Sequence, residues 1–299
     1  MRRIVQPPGL EHFEGPYVPA GEGVFILRLG DLTIRLRGLS AVLRDRLAER
    51  YDKFSVDTFE DGLDVEVCDV ARDYYIDPPE ISEFNPVHVV CDGNRVRFVS
   101  YRLAGVFDTV GSRGRVLVAR GEHEPADHGM ENYIRAAVAW RAAERGGALV
   151  HAAGAVWEGK GYLFYGESGA GKSTLSECNR RATIVSDDLS LILPGRGGAP
   201  DLIGTPFRGT YERGERVVGR FPVVAGFRLI QATEARVEPV QRVRALSELI
   251  GNLPFVAEGF VRRPDLFRKI ERAFESIPLM HLSFRKDDSY WDAIRAAGL

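Results

Sequence analysis

The chain has 299 residues, 44% hydrophobic and 27% charged, with 40 basic and 42 acidic residues and a formal net charge of −2. That length suits one large domain or two smaller ones, and the near-neutral balance predicts no general attraction to nucleic acid or to an anionic membrane. No apolar run reaches the length of a membrane span, the polar start Met1-Arg2-Arg3-Ile4 is unlike a signal peptide, and three scattered cysteines (Cys68, Cys91, Cys178) make neither a disulfide framework nor a zinc pair. A reducing cytoplasm is the expected location.

Residues 1–125 read as a β-rich α+β domain. Val24 to Leu29 and Leu32 to Leu36 flank Gly30-Asp31, which predicts a hairpin. Ser40 is placed to cap a helix running to Phe54, with Leu43, Leu47 and Tyr51 four apart on one face. Leu63 to Val67 alternates like a half-buried strand. Two further hairpins are expected, Val87–Val90 with Val96–Val99, and Val106–Val110 with Arg115–Ala119. Gly121 to Gly129 is polar and reads as a linker. A helix follows from Met130 to Arg145, with Tyr133, Ala137 and Trp140 on one face and a stop at Gly146-Gly147. The expected second domain is therefore 126–299.

Within it, Ala148 to Trp157 and Tyr162 to Tyr165 read as a strand pair turning at Glu158–Gly161. Then comes Gly166-Glu167-Ser168-Gly169-Ala170-Gly171-Lys172-Ser173-Thr174, which fits the phosphate-loop pattern G-x-x-x-x-G-K-[ST] between a strand and a helix start. Glycines there let backbone N–H groups surround phosphate oxygens. Lys172 is suited to the β- and γ-phosphates, and the Ser173 hydroxyl to Mg²⁺. Only five residues of the chain are lysine, so a lysine at 172 in an arginine-rich sequence strengthens the pattern. ATP and Mg²⁺ are the expected ligands.

Phosphoryl transfer also needs a base and charge neutralisation. Asp187 and Asp188 end the apolar strand Ala182–Ser186, where an α/β core delivers carboxylates. Leaving a strand in succession, they point opposite ways, one toward a metal and one toward an acceptor hydroxyl. Arg208, Arg213 and Arg216 cluster downstream, and Arg208 is the preferred phosphate-neutralising side chain. His281, in an apolar strand, reads as core. Later strands are expected at 189–193, 226–231 and 278–284, and helices at 245–251, 264–275 and 290–297.

Val150-His151, the following hairpin, the loop at 166–176 and Val185-Ser186-Asp187-Asp188 together resemble the kinase domain of the HPr kinase/phosphorylase family and, more distantly, phosphoenolpyruvate carboxykinases. The resemblance implies a mixed-sheet phosphate-loop core rather than a doubly wound one. It also implies Asp187 as the base, Asp188 and Ser173 on the metal side, and His151 near the metal and γ-phosphate. The segment Leu202–Tyr211 differs from that family's glycine-rich signature, which is linked to contact with HPr and to phosphorolysis. The likeness is thus to dispersed relatives, some associated with peptide maturation, including that of lasso peptides. It implies a serine kinase acting on a peptide or protein, with homo-oligomers common among relatives. Free serine as acceptor, nucleotide binding without transfer, and a carboxykinase-like reaction stay open as alternatives. The first domain, lacking chemistry of its own, is expected to recognise the acceptor.

Overall fold

Two mixed β-sheets of eight strands each and six α-helices make an α/β protein of the described residues, 5–79, 86–207, 209 and 217–299 of the computed structural model. The chain divides into two compact units, Met1–Arg141 with Val261–Arg263, and Ala142–Phe260 with Pro264–Leu299.

The first unit holds β1 (Val18–Pro19), β2 (Gly23–Leu29), β3 (Leu32–Leu39), α1 (Ala41–Arg50), β4 (Leu63–Asp69), β5 (His88–Asp92), β6 (Arg95–Val99), β7 (Leu103–Asp108), β8 (Arg113–Val118) and α2 (Ala126–Glu144), of which the last three residues belong to the other unit. Its sheet runs β2-β3-β4-β8-β7-β6-β5, with β1 on β4. The three expected hairpins form. Ser40 accepts a hydrogen bond from the Leu43 N–H, and Leu43, Leu47 and Tyr51 are buried.

The expected linker is shorter than the sequence suggests. Glu124 is buried, its Oε2 accepting from Ser100 Oγ (2.7 Å) and the Arg102 N–H (3.1 Å). Helix α2 starts at Ala126, four residues before the expected start, and most of it packs with the first unit, so the division falls at Arg141/Ala142 instead of 125/126. Packing explains the difference. Tyr133 meets Phe98 and Phe107 edge-on at 5.8 and 5.6 Å and donates from its hydroxyl to the Val106 carbonyl. A Cβ at Gly105 would come within 2.5 Å of the Tyr133 ring. A helix so seated belongs to the sheet beneath it.

Residues facing the other side of that sheet alternate in charge. Arg35, Asp64 and Arg113 stand in register on β3, β4 and β8, while Asp108 and Arg95 pair on β7 and β6. The next row runs Arg37, Glu66, Arg115, Val106 and Arg97. Opposite charges in directly facing positions stabilise a sheet.

The second unit holds β9 (Ala148–Trp157), β10 (Lys160–Tyr165), α3 (Lys172–Cys178), β11 (Thr183–Ser186), β12 (Leu189–Leu193), β13 (Asp201–Ile203), β14 (Arg220–Gln231), β15 (Arg236–Pro239), α4 (Arg242–Ile250), α5 (Pro264–Ala273), β16 (Leu279–Phe284) and α6 (Tyr290–Ala296). Strand order is β10-β9-β12-β13-β14-β16-β15, and β10 also pairs with β14, so five strands close on themselves. Leu202 fills the inside of that ring, which is why Gly154 and Gly161 face it: a Cβ at either would lie 3.0–3.1 Å from Leu202. Along β10 the aromatic run splits by strand alternation. Tyr162 and Phe164 pack with Trp157, Phe227, Tyr290 and Trp291 in one buried cluster, which α6 completes. No described helix is long and apolar enough to cross a membrane.

Candidate functional site

Strands β10, β14 and β16 run parallel; β14 and β16 end level with each other at Gln231 and Phe284, beyond the level of Tyr165, where β10 ends opposite Arg228. In open α/β sheets ligands collect at such carboxyl ends. The loop leaving β10 turns on glycines with left-handed backbones, Gly166 (φ 156°), Gly169 (φ 81°) and Gly171 (φ 103°). Gly171 has a second reason to be glycine, since a Cβ would lie 2.5 Å from the Phe284 ring. Gln231 Nε2 donates to the Gly169 carbonyl at 2.7 Å. Neighbouring strand ends thus brace the loop, a role for Gln231 and Phe284 that the loop pattern alone does not signal.

The sequence-predicted loop residues are distributed by exposure. Glu167, Ser168 and Gly169 are exposed, Ala170, Gly171, Ser173 and Thr174 half-buried, and Gly166 and Lys172 buried. Lys172 opens α3 and folds back over the loop, donating from Nζ to the carbonyls of Gly166 (2.8 Å) and Glu167 (3.3 Å). Burial lowers its pKa below the usual lysine range, and the Asp188 carboxylate works in the other direction. A buried ammonium hydrogen-bonded to carbonyl oxygens gains strongly from a polyphosphate.

The aspartate pair occupies the corner between β11 and β12. Both strands pair with the same side of β9: Ser186 aligns with Gly154 and Leu189 with His151. On the other side of β9, Tyr165 aligns with Ala152. The loop and the two aspartates therefore flank β9 at one height, about 10 Å apart by two strand spacings, and His151 leaves β9 at that same level. Ser186 ties the corner, its Oγ donating to the Leu189 carbonyl (2.8 Å) and accepting from the Leu189 N–H (3.1 Å).

Asp187 is 5% exposed, and its Oδ1 accepts from the Gly209 N–H at 3.0 Å. His151 Nε2 stands 3.2 Å from Asp188 Oδ1, with 40% of the histidine side chain exposed. The structure thus brings Lys172, Asp187, Asp188 and His151 to one region. Arg208, Arg213 and Arg216 lie outside the described residues. Gly209, beside Arg208, was not evident as a site residue, because a backbone donor has no side-chain signature.

His281, read as core from the sequence, is instead a half-buried hydrogen-bond partner of a carboxylate. Its Nε2 lies 2.8 Å from Glu248 Oε2, and Arg228, level with it on β14, reaches Glu248 Oε1 at 3.5 Å and Glu167 Oε1 at 3.9 Å. Burial pushes the Glu248 carboxyl up, but hydrogen bonds from His281 and Arg244 outweigh it and hold the group below the usual range. An apolar strand context hides such a residue, because its partner comes from α4, far away in sequence.

Among the described residues no group of three or more His, Cys, Asp or Glu is arranged to hold a metal. The expected metal-side groups, the Ser173 hydroxyl and the Asp188 carboxylate, are oxygen donors of the kind that a hard cation such as Mg²⁺ takes together with phosphate oxygens. Comparison with protein-family models gives no match. No curated protein matches the chain either.

Proposed function

We propose that the protein is a Mg²⁺- and ATP-dependent kinase that transfers the γ-phosphate to a hydroxyl, most simply a serine of a peptide or protein. The observation that carries this reading is the placement of a buried lysine-bearing glycine loop and a carboxylate pair on either side of β9, close enough for Asp188 to act electrostatically on Lys172. The mixed sheet agrees with the HPr kinase-like core implied by the motif resemblance.

In this reading the loop N–H groups from Gly166 to Ser173 and the Lys172 ammonium hold the polyphosphate and neutralise its charge. Mg²⁺, held by Ser173 and Asp188, would supply charge stabilisation between the phosphates. Asp187 orients the acceptor hydroxyl and takes its proton as the oxygen bonds to phosphorus, while the bond from phosphorus to the leaving ADP oxygen breaks. The Gly209 N–H fixes the orientation of the Asp187 carboxylate by donating to its Oδ1. His151, oriented by Asp188, lines the proposed phosphoryl site. Arg208 is proposed to join it. Catalysis is then mainly positioning and electrostatics.

Incubation with labelled ATP, Mg²⁺ and a set of serine-containing peptides, with free serine alongside, tests the reading. Label in a peptide supports it, label in free serine moves it to a small-molecule kinase, and nucleotide binding with no product in any arm contradicts it.

A further inference from the structure

A run of charged side chains crosses the ends of β16, α4 and β14 and finishes on the phosphate loop. Arg228 of β14 stands opposite Tyr165, the last residue of β10 before the loop, and His281 of β16 is level with it on the other side. Helix α4 packs on β14 and β16 and brings Glu248 to both. Glu248 Oε2 lies 2.8 Å from His281 Nε2, while its Oε1 accepts from Arg244 Nε at 3.0 Å and pairs with Arg228 Nη1 at 3.5 Å.

Arg228 has a second acid. Its Nη2 lies 3.9 Å from Oε1 of Glu167, the loop residue next to Gly166. Glu167 is thus approached by two cations, because its main-chain carbonyl accepts from Lys172 Nζ at 3.3 Å. Further along β14, Gln231 donates to the Gly169 carbonyl. One strand therefore meets the loop at two places, and Arg228 meets it at the residue to which Lys172 is also tied.

The two ends of this run differ in strength. The Glu248 and His281 side chains are only 17% and 12% exposed, so the inner end is shielded from water. The Glu167 side chain is 89% exposed, which limits the outer pair to a modest effect. A guanidinium is a rigid planar fork, so fixing it on Glu248 also fixes the edge that faces Glu167. An acid in the loop repels polyphosphate, and a neighbouring cation offsets that repulsion. Both effects of Arg228, holding the loop and offsetting its acid, pass through Glu167.

We infer that Arg228 is a positioning residue of the proposed nucleotide site, acting on the phosphate loop through Glu167. The inference rests on the nucleotide part of the kinase reading and not on transfer, so its test needs no acceptor.

The test is a double-mutant cycle on the full-length protein, with Mg²⁺-ATP affinity read by calorimetry and a thermal melt of each variant. Arg228→Gln is expected to weaken ATP binding about fivefold. In a Glu167→Gln background the same substitution should change affinity less than about twofold. Arg228→Lys keeps the charge without the fork and should recover part of the lost affinity. It also carries the cycle if Arg228→Gln does not fold. A lowered melting temperature with unchanged affinity would make Arg228 structural only and overturns the inference. So does an equal loss of affinity with and without Glu167, which would mean that Arg228 acts on the nucleotide by another route. A parent protein that binds no ATP removes the nucleotide reading and this inference together, whereas ATP binding without coupling removes the inference alone. Coupling without phosphate transfer to any serine would leave the inference standing and contradict the kinase reading.

Discussion

His151 Nε2 lies 3.2 Å from Asp188 Oδ1, joined across neighbouring strands whose register puts His151 opposite Leu189. The pair holds the imidazole beside the corner that also carries Asp187, while leaving it partly open to solvent. A structural histidine would affect stability. One that acts on transferring phosphate would affect turnover. His151→Gln is expected to lower turnover on the order of a hundredfold with nucleotide affinity little changed, as measured by transfer kinetics beside equilibrium nucleotide binding.

Lys172 is the buried charge that the ligand is expected to neutralise. Lys172→Ala should weaken ATP binding on the order of a hundredfold, read by calorimetry. There is also a proton signature. Burial lowers the Lys172 pKa in the free protein, so its folded value lies below its unfolded one. Its contribution therefore disfavours folding below the folded value, and that cost fades as pH rises toward the unfolded value. Phosphate charge favours the protonated ammonium, so ATP binding at alkaline pH should take up protons. Calorimetry in buffers of different ionisation enthalpy reads that uptake, and Lys172→Ala should abolish it.

Gly209 supports the proposed base through its backbone. A Cβ there would stand 2.8 Å from Asp187 Oδ2 and 3.1 Å from Asp188 Cβ. Gly209→Ala should displace the Asp187 carboxylate and cut turnover about tenfold, with ATP affinity and melting temperature near those of the parent. An equal fall in affinity would mean that this segment serves the nucleotide instead.

Glu124 makes a pH-dependent contribution to stability. Burial raises its carboxyl pKa against the hydrogen bonds from Ser100 and Arg102, and its Oε1 has no hydrogen-bond partner among the described residues. A folded value above the unfolded one means that its favourable contribution is present at low pH and is lost as pH rises through the folded value. Glu124→Gln removes that titration. The variant should be more stable than the parent by on the order of 1 kcal/mol near pH 8, and the gap should close near pH 4, as read by denaturant titration.

The local devices were legible in the sequence because each depends on neighbours in the chain. Ser40 caps α1, Gly30 and Gly93 turn their hairpins, and Gly166 to Thr174 joins a strand to a helix. What sequence could not supply is contact between distant segments. The start of α2 was placed late because Glu124 and the seat of Tyr133 on Phe98 and Phe107 are tertiary. Short strands such as β13 and β15 carry too few residues for a periodic signal, yet β13 closes the ring around Leu202. Glu248 gives His281 its role from 33 positions away. The alternating charged face of the first sheet is visible only once registers are known, because the arginines of β3, β6 and β8 and the acids of β4 and β7 lie on different strands.

Asp187→Asn is the most direct test of the central claim, because the carboxylate is replaced by an amide of the same shape in a buried setting. Nucleotide affinity and labelled-phosphate transfer should be measured on the same preparation. The account predicts near-parental ATP binding and transfer reduced about a thousandfold. Unchanged transfer, or loss of ATP binding equal to that of Lys172→Ala, would contradict it.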